Sequence, residues 1–307
     1  MSGLVHWDEV PAERVIRGPM NAVWRDLGEG AGSVAVGARR IQIDAGDMPT
    51  PAHNHGAEEE IFYVLAGSGL SWQDGDTYEV GPGDCLVHPA PGPAHTLRGG
   101  PDGLDVVVFG MRVRAEICVL PRSSSAWLGP TWGAVGGPSP WDREAELGPY
   151  EWPVPSPRPD GIVNLAAVPA REEPPRQTVG RSIRDLGRAA GSVQTGLRHS
   201  TVEPGMLNAP PHCHSANEEL FVVLAGDGAL LLADEEFPVQ AGHVVSRPAG
   251  TGVAHAFRAG EAGMELLMYG LRDTRDIAYY PRSGKVYMAG LGLVARVEHL
   301  DFWDGEL

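Results

Sequence analysis

The sequence predicts an all-β protein made of two copies of one barrel-forming domain. Three observations lead there. Short apolar runs alternate with turn residues, and 41 Gly and 27 Pro are spread between them rather than gathered into low-complexity blocks. No segment keeps a 3.6-residue apolar period, apart from a turn or two near residues 141–147. The chain also repeats itself at an offset near 159 residues, with few insertions, over some 120 residues.

The repeat can be followed element by element. GLVHWDEVPAER at Gly3 returns as GIVNLAAVPARE at Gly161, and RDLG at Arg25 returns at Arg184. AGSV at Ala31 returns at Ala190, and AHTLR at Ala94 returns as AHAFR at Ala254. LPRS at Leu120 returns as YPRS at Tyr280. Asp74-Gly75 in SWQDGDTYEV is a strong hairpin turn pair between two strands. DVVVFGMRV and ELLMYGLR read as late strands of the two copies. The expected division is therefore a barrel over 1–123, a crossing segment over 124–160 and a second barrel with its extension over 161–307. The crossing carries WPVPSPRPD, which no regular helix or central strand accepts. Its tryptophans Trp127, Trp132, Trp141 and Trp152 are expected to be buried across a barrel surface. The tail over 285–307 has room for one or two strands. Exchange of a strand between the copies is left open.

Composition narrows the function. A length of 307 residues with 42% hydrophobic content suits two globular domains. A net charge of −16 repels phosphate backbones and anionic lipid, so nucleic-acid and membrane partners are not expected. No apolar run approaches the roughly 18 residues of a membrane helix. The polar N-terminal stretch does not read as a signal peptide, and three scattered cysteines, Cys85, Cys118 and Cys213, suit reduced thiols in a cytoplasm.

The chemistry gathers in residues 46–67, GDMPTPAHNHGAEEEIFYVLAG, and again in residues 205–226, GMLNAPPHCHSANEELFVVLAG. His53 and His55, like His212 and His214, stand at i and i+2, so an extended strand points both imidazoles one way. Glu60 and Glu219 follow, and the runs after them read as buried strands. His95 and His255 lie after matching Gly/Pro turns and are natural fourth members. Imidazoles with a carboxylate suit one divalent transition metal per barrel, among Mn, Fe, Ni, Co, Zn and Cu. A lone His-x-His is more often structural; four matched ligand types written twice reverse that.

These residues resemble the cupin family, and the whole chain resembles a bicupin. The first family motif is matched by Gly46, His53, His55, Glu60 and Gly67, and by Gly205, His212, His214, Glu219 and Gly226. The second is matched by Gly83, Pro89 and His95, and by Gly242, Pro248, Gly250 and His255, with a longer turn before the last histidine. The resemblance implies two tandem double-stranded β-helix (jelly-roll) barrels with the metal inside. It names no reaction, because cupins host many.

Nearby residues take plainer readings. Cys213 points away from its flanking histidines, and His88 and His243 sit at the rim. Glu58, Glu59 and Glu218 are solvated charges. Phe62, Val64, Phe221, Val223, Leu97 and Phe257 line the cavity or pack the core. Arg39 and Arg198 solvate a sheet edge or anchor an anion. Three histidines and a carboxylate leave one or two positions open on an octahedral metal. The leading expectation is a dioxygenase-type oxidoreductase on a small organic substrate, with Glu60 or Glu219 able to act as a base. A non-oxidative lyase, decarboxylase or isomerase is the second reading, and a small-molecule binding or sensing protein the third. Such a chain works as a monomer or a homo-oligomer.

Overall fold

The structure is a computed structural model that describes residues 3–128, 139–172 and 176–306. It consists of two jelly-roll barrels. Each has an eight-stranded antiparallel sheet and a small sheet closing the mouth.

In the first barrel the long strand Glu60–Gln73 pairs along its length with His95–Met111. Asp84–His88 and Asp76–Val80 flank the first of these, and Val36–Ile43, Met20–Asp26 and Glu13–Arg17 continue beyond the second. The second barrel repeats this with Glu219–Leu232 on His255–Leu271. The Asp74-Gly75 turn joins strands paired from Gln73 to Asp76, with positive φ at both turn residues (47° and 102°). That is the tight hairpin expected of Asp-Gly.

Gly67 and Gly226, the last glycines of the repeated segment, sit where the long strand shifts register. Their φ values are 81° and 78°, and an added Cβ would meet the carbonyl oxygen of Gly103 or Gly263 at 2.2 and 2.1 Å. Only glycine fits there.

Each sheet buries both faces. One face packs inside its own barrel: Ile41, Phe62, Val64 and Leu97 in the first, Phe221, Val223, Leu230 and Phe257 in the second. The other face packs against the partner barrel in a shared core of Ile61, Tyr63, Phe109, Leu220, Val222 and Tyr269. Phe109 and Tyr269 stack at the centre, 5.0 Å apart. This explains why Ile61 to Val64 form an unbroken apolar run instead of alternating.

The copies exchange strands. Leu4–His6 pairs with His243–Arg247 at the edge of the second barrel's sheet. Ile162–Asn164 pairs with Asp84–His88 at the edge of the first. Strands 4–6 and 162–164 therefore sit in the opposite barrel from the one their repeat unit builds.

The described parts of the crossing segment lie over the first barrel. Ser125–Leu128 joins the small sheet beside Ile117–Leu120 and Asn54–His55, and a helix runs over Pro140–Glu146. Trp127, Trp141 and Trp152 are half-buried, and Trp132 lies outside the described residues. The tail supplies Lys285–Met288 and Leu293–Arg296 to the second small sheet. Among the described residues no helix is long and apolar enough to cross a membrane.

Candidate metal centres

Two backbone contacts bring distant residues together. His53 and His95 form an antiparallel bridge, His53 N donating to His95 O at 3.1 Å and His95 N to His53 O at 2.8 Å. His212 and His255 do the same at 3.2 and 2.8 Å. Each bridge closes the far strand over the His-x-His pair.

In the first barrel, Nε2 of His53, His55 and His95 lies 3.7, 3.2 and 3.1 Å from Glu60 Oε2. In the second, Nε2 of His212, His214 and His255 lies 4.0, 3.3 and 3.0 Å from Glu219 Oε2. The first four offer ligand atoms all within 4.8 Å of one another; in the second the group that tight is His212, Glu219 and His255. The structure thus brings together all eight residues singled out in the sequence, in two clusters.

A divalent metal fits both clusters on local grounds. Nε2 of His55 and of His214 is buried with no hydrogen-bond partner. The opposite ring nitrogens are held from behind. His53 Nδ1 meets Pro51 O at 2.9 Å, His95 Nδ1 meets Pro93 O at 3.2 Å and His212 Nδ1 meets Pro210 O at 2.8 Å. Such contacts fix the tautomer that leaves Nε2 facing a cation.

His55 and His214 are backed by carboxylates the sequence reading missed. His55 Nδ1 lies 3.4 Å from Glu116, which accepts from Gly56 N at 2.8 Å and Ala57 N at 3.2 Å. His214 Nδ1 lies 2.7 Å from Asp276, which accepts from Ala216 N at 2.9 Å and Asn217 N at 3.0 Å. A signal was available: both acids stand four residues before the repeated LPRS and YPRS motifs.

The charges are strongly coupled. Burial alone would lower the His55 imidazolium, but Glu60, Glu58 and Glu116 outweigh it and raise it to about 9. His214 is opposed by burial and lifted by Asp276 and Glu219 to about 10. Burial lowers His95 and His255, and takes His212 to about 4. Glu60 and Glu219 resist their own burial and stay well below the carboxylate range because histidines surround them. Burial and the neighbouring Glu60 push Glu58 up to about 8. Its carboxylate fits because Gly110 opposite has no Cβ, which would come within 2.2 Å of it.

Several plainer readings need correction. His88 is not a rim residue: it is 3% exposed and stacks flat on His95, with ring centroids 3.7 Å apart. Its strand position is the register partner of Glu60, so it points inward with the cluster. Glu59 and Glu218 are not solvated; each is 1% exposed and reaches into the other barrel. Glu59 accepts from Ser192 Oγ and Thr195 Oγ1 at 2.6 Å, Val193 N at 3.0 Å and Thr195 N at 3.1 Å. Glu218 accepts from Val34 N at 2.9 Å, Val36 N at 3.2 Å, Ala35 N, and Ser246 Oγ at 2.9 Å. The residue beside each cluster glutamate is thus a clasp between barrels. Glu58 is half-buried among His55, Glu60 and Glu116.

The first cluster opens into a cavity of about 210 Å³ lined by Trp24, Arg39, Phe62, Cys118, Trp127 and Trp141 among others. A larger cleft of about 810 Å³ lies against His55 and Glu60 and is lined by Glu58, Arg112, Arg114 and Glu116. Arg39 and Cys118 border both.

The cupin domain family matches twice, over residues 39–102 and 198–269. No curated protein sequence matches the chain. Oxalate decarboxylase from Bacillus subtilis superposes on 88% of this chain and 76% of its own at TM-score 0.57 and 16% identity. A formate complex of Lactobacillus farciminis oxalate decarboxylase covers 88% and 86%, at TM-score 0.58 and 13% identity. A Bacillus subtilis oxalate decarboxylase structure concerned with its Mn(II) centres covers 90% and 78%, at TM-score 0.57 and 15% identity. At such identities the likeness speaks for the fold. Each barrel therefore carries a match to the cupin domain, and the two-barrel jelly-roll fold is consistent with a bicupin.

Proposed function

We propose that the protein is a metal-dependent lyase of decarboxylase type, acting on a small organic acid in the first barrel. His53, His55, Glu60 and His95 are the ligands there, and His212, His214, Glu219 and His255 hold a second ion. The observation that carries this reading is the convergence of three Nε2 atoms on one carboxylate at the inner end of a cavity. The structural relatives named as oxalate decarboxylases, one with Mn(II) centres, support Mn(II) and loss of CO₂ over the oxidative reading.

When bound, the ion supplies Lewis acidity to an acid oxygen and neutralises developing charge. The chain's own residues do the rest. Glu60 sets the charge of the site, the carbonyls of Pro51 and Pro93 hold the rings of His53 and His95 in place, and Glu116 lies 3.4 Å behind His55 without a hydrogen bond to it. Trp127 and Trp141 narrow the cavity and keep water from the reacting acid.

The test is product analysis with Mn(II)-loaded protein and a panel of organic acids. Release of CO₂ without O₂ consumption is the expected result. Stoichiometric O₂ uptake would return the dioxygenase reading, and saturable binding without turnover would make this a binding protein.

A further inference from the structure

The first-barrel cavity is chemically unlike a site for a small dianion. Beyond the His/Glu cluster, its polar lining is Arg39, Cys118, Thr50, Thr96 and the indole N–H groups, of which Trp24 Nε1 is buried without a partner. The two threonines already satisfy each other: Thr96 Oγ1 donates to Thr50 O at 2.8 Å and lies 3.4 Å from Thr50 Oγ1. Cys118 offers only a weak thiol donor. Arg39 is shared with Asp26, at 3.3 Å. The remaining walls are Trp24, Ile41, Phe62, Leu120, Trp127 and Trp141, with three indoles at one cavity. A dicarboxylate with no apolar surface would lose hydration on entering and gain nothing from those walls. A ring would bury its faces against them and stack.

We propose that the first barrel takes a monocarboxylate with an apolar, ring-sized body, of the arenecarboxylic acid class. Its carboxylate faces the His53, His55, Glu60 and His95 cluster, and its ring lies among Trp24, Trp127 and Trp141. This rests on the metal-dependent reading above, since Glu60 alone would repel an anion. The cavity of about 210 Å³ falls below the roughly 300–1,000 Å³ that drug-sized ligands need, so it holds about one ring, and a larger body would have to extend past Arg39 and Cys118 into the adjoining cleft of about 810 Å³. The second barrel lacks this frame: Trp127 is matched by Tyr287, which is 38% exposed, and Cys118 by Ala278. The crossing helix that carries Trp141 lies on the first barrel, against the strand Glu13–Arg17.

The test is a binding titration of full-length, Mn(II)-loaded protein with benzoate and with oxalate. Intrinsic tryptophan fluorescence and calorimetry give the affinities, and elemental analysis verifies the metal. Benzoate is expected to quench saturably and to bind at least about tenfold tighter than oxalate. Trp141→Ala is expected to weaken benzoate about tenfold, and by more than it weakens oxalate, and Trp141→Phe to recover most of the loss. Oxalate binding as tightly as benzoate would overturn the proposal. So would an unchanged benzoate affinity in Trp141→Ala of intact metal content and melting temperature. Protein that takes up no metal would overturn both readings, whereas Mn(II)-loaded protein that prefers oxalate would overturn this proposal alone.

Discussion

The two barrels hold the same three histidines and one glutamate on the same bridged strands, yet their surroundings diverge. In the first barrel the position across the strand from Glu60 is His88, uncharged because burial lowers it far below the usual imidazole range, and stacked on His95. In the second the corresponding position, across from Glu219, is Arg247, which is 7% exposed with its Nε unpartnered. Glu58 beside the first cluster is replaced by Asn217, whose carbonyl instead accepts from Asp273 N at 3.0 Å. The first barrel is capped by the crossing segment, whereas Leu293, Val294, Leu300, Phe302 and Trp303 of the tail are exposed on the second. The repeat keeps three histidines around one glutamate, with His214 outside the tightest group of the second cluster, while the residues around them have changed. A cation site that shares its wall with a guanidinium binds its ion more weakly than one beside a neutral imidazole.

The comparison breaks most sharply at the ligands. His55→Ala and His214→Ala should each remove about one metal per chain by elemental analysis. Only His55→Ala should abolish turnover, by more than the roughly 10–100-fold typical of residues behind the ligands. Equal loss of turnover in both variants would mean that the barrels share the chemistry.

The clasp comes next. Glu59→Ala and Glu218→Ala each strand several buried N–H or hydroxyl donors, at a cost of about 3 kcal/mol in denaturant unfolding. Similar losses are expected from the two, since each carboxylate gathers donors from the opposite barrel. A loss in one alone would show that the two halves of the clasp are not equivalent.

The surroundings of the metals follow. With each site isolated by removing the other's histidine, a chelator titration should strip the second barrel about tenfold more readily. Arg247→Met should close that gap. Asp276→Asn should weaken the second site about tenfold, and more than Glu116→Gln weakens the first. The reason is the shorter contact, 2.7 Å from His214 to Asp276 against 3.4 Å from His55 to Glu116.

The smallest effect is the pH response of metal-free protein. His55 is raised to about 9 and His214 to about 10. A histidine raised on folding stabilises fully below its unfolded value and loses that contribution as pH rises through its folded value. Melting temperature of the metal-free form should therefore fall by about 2–4 °C for each kcal/mol lost as pH rises from 6.5 to about 10. Metal-loaded protein, whose imidazoles are already neutral, should show little of this dependence. A flat profile without metal would mean that the imidazolium–glutamate pairs contribute nothing to stability.

What the sequence determined by itself was whatever is written in local spacing or in the repeat. The His-x-His pairs needed only strand alternation, the Asp74-Gly75 turn only its dipeptide, and the two barrels only a constant offset. His95 and His255 were legible because each recurs in the same Gly/Pro context. Tertiary structure decided the rest, because strand alternation says which way a side chain points and not what it meets. Glu59 and Glu218 looked solvated and proved to be buried in backbone donors from the opposite barrel. His88 read as a rim residue because nothing local shows a ring stacked on His95. The exchange of Leu4–His6 and Ile162–Asn164, and the closure of one cavity by Trp127 and Trp141, depend on which barrel face each segment meets. Those faces exist only once the two sheets have packed around Phe109 and Tyr269.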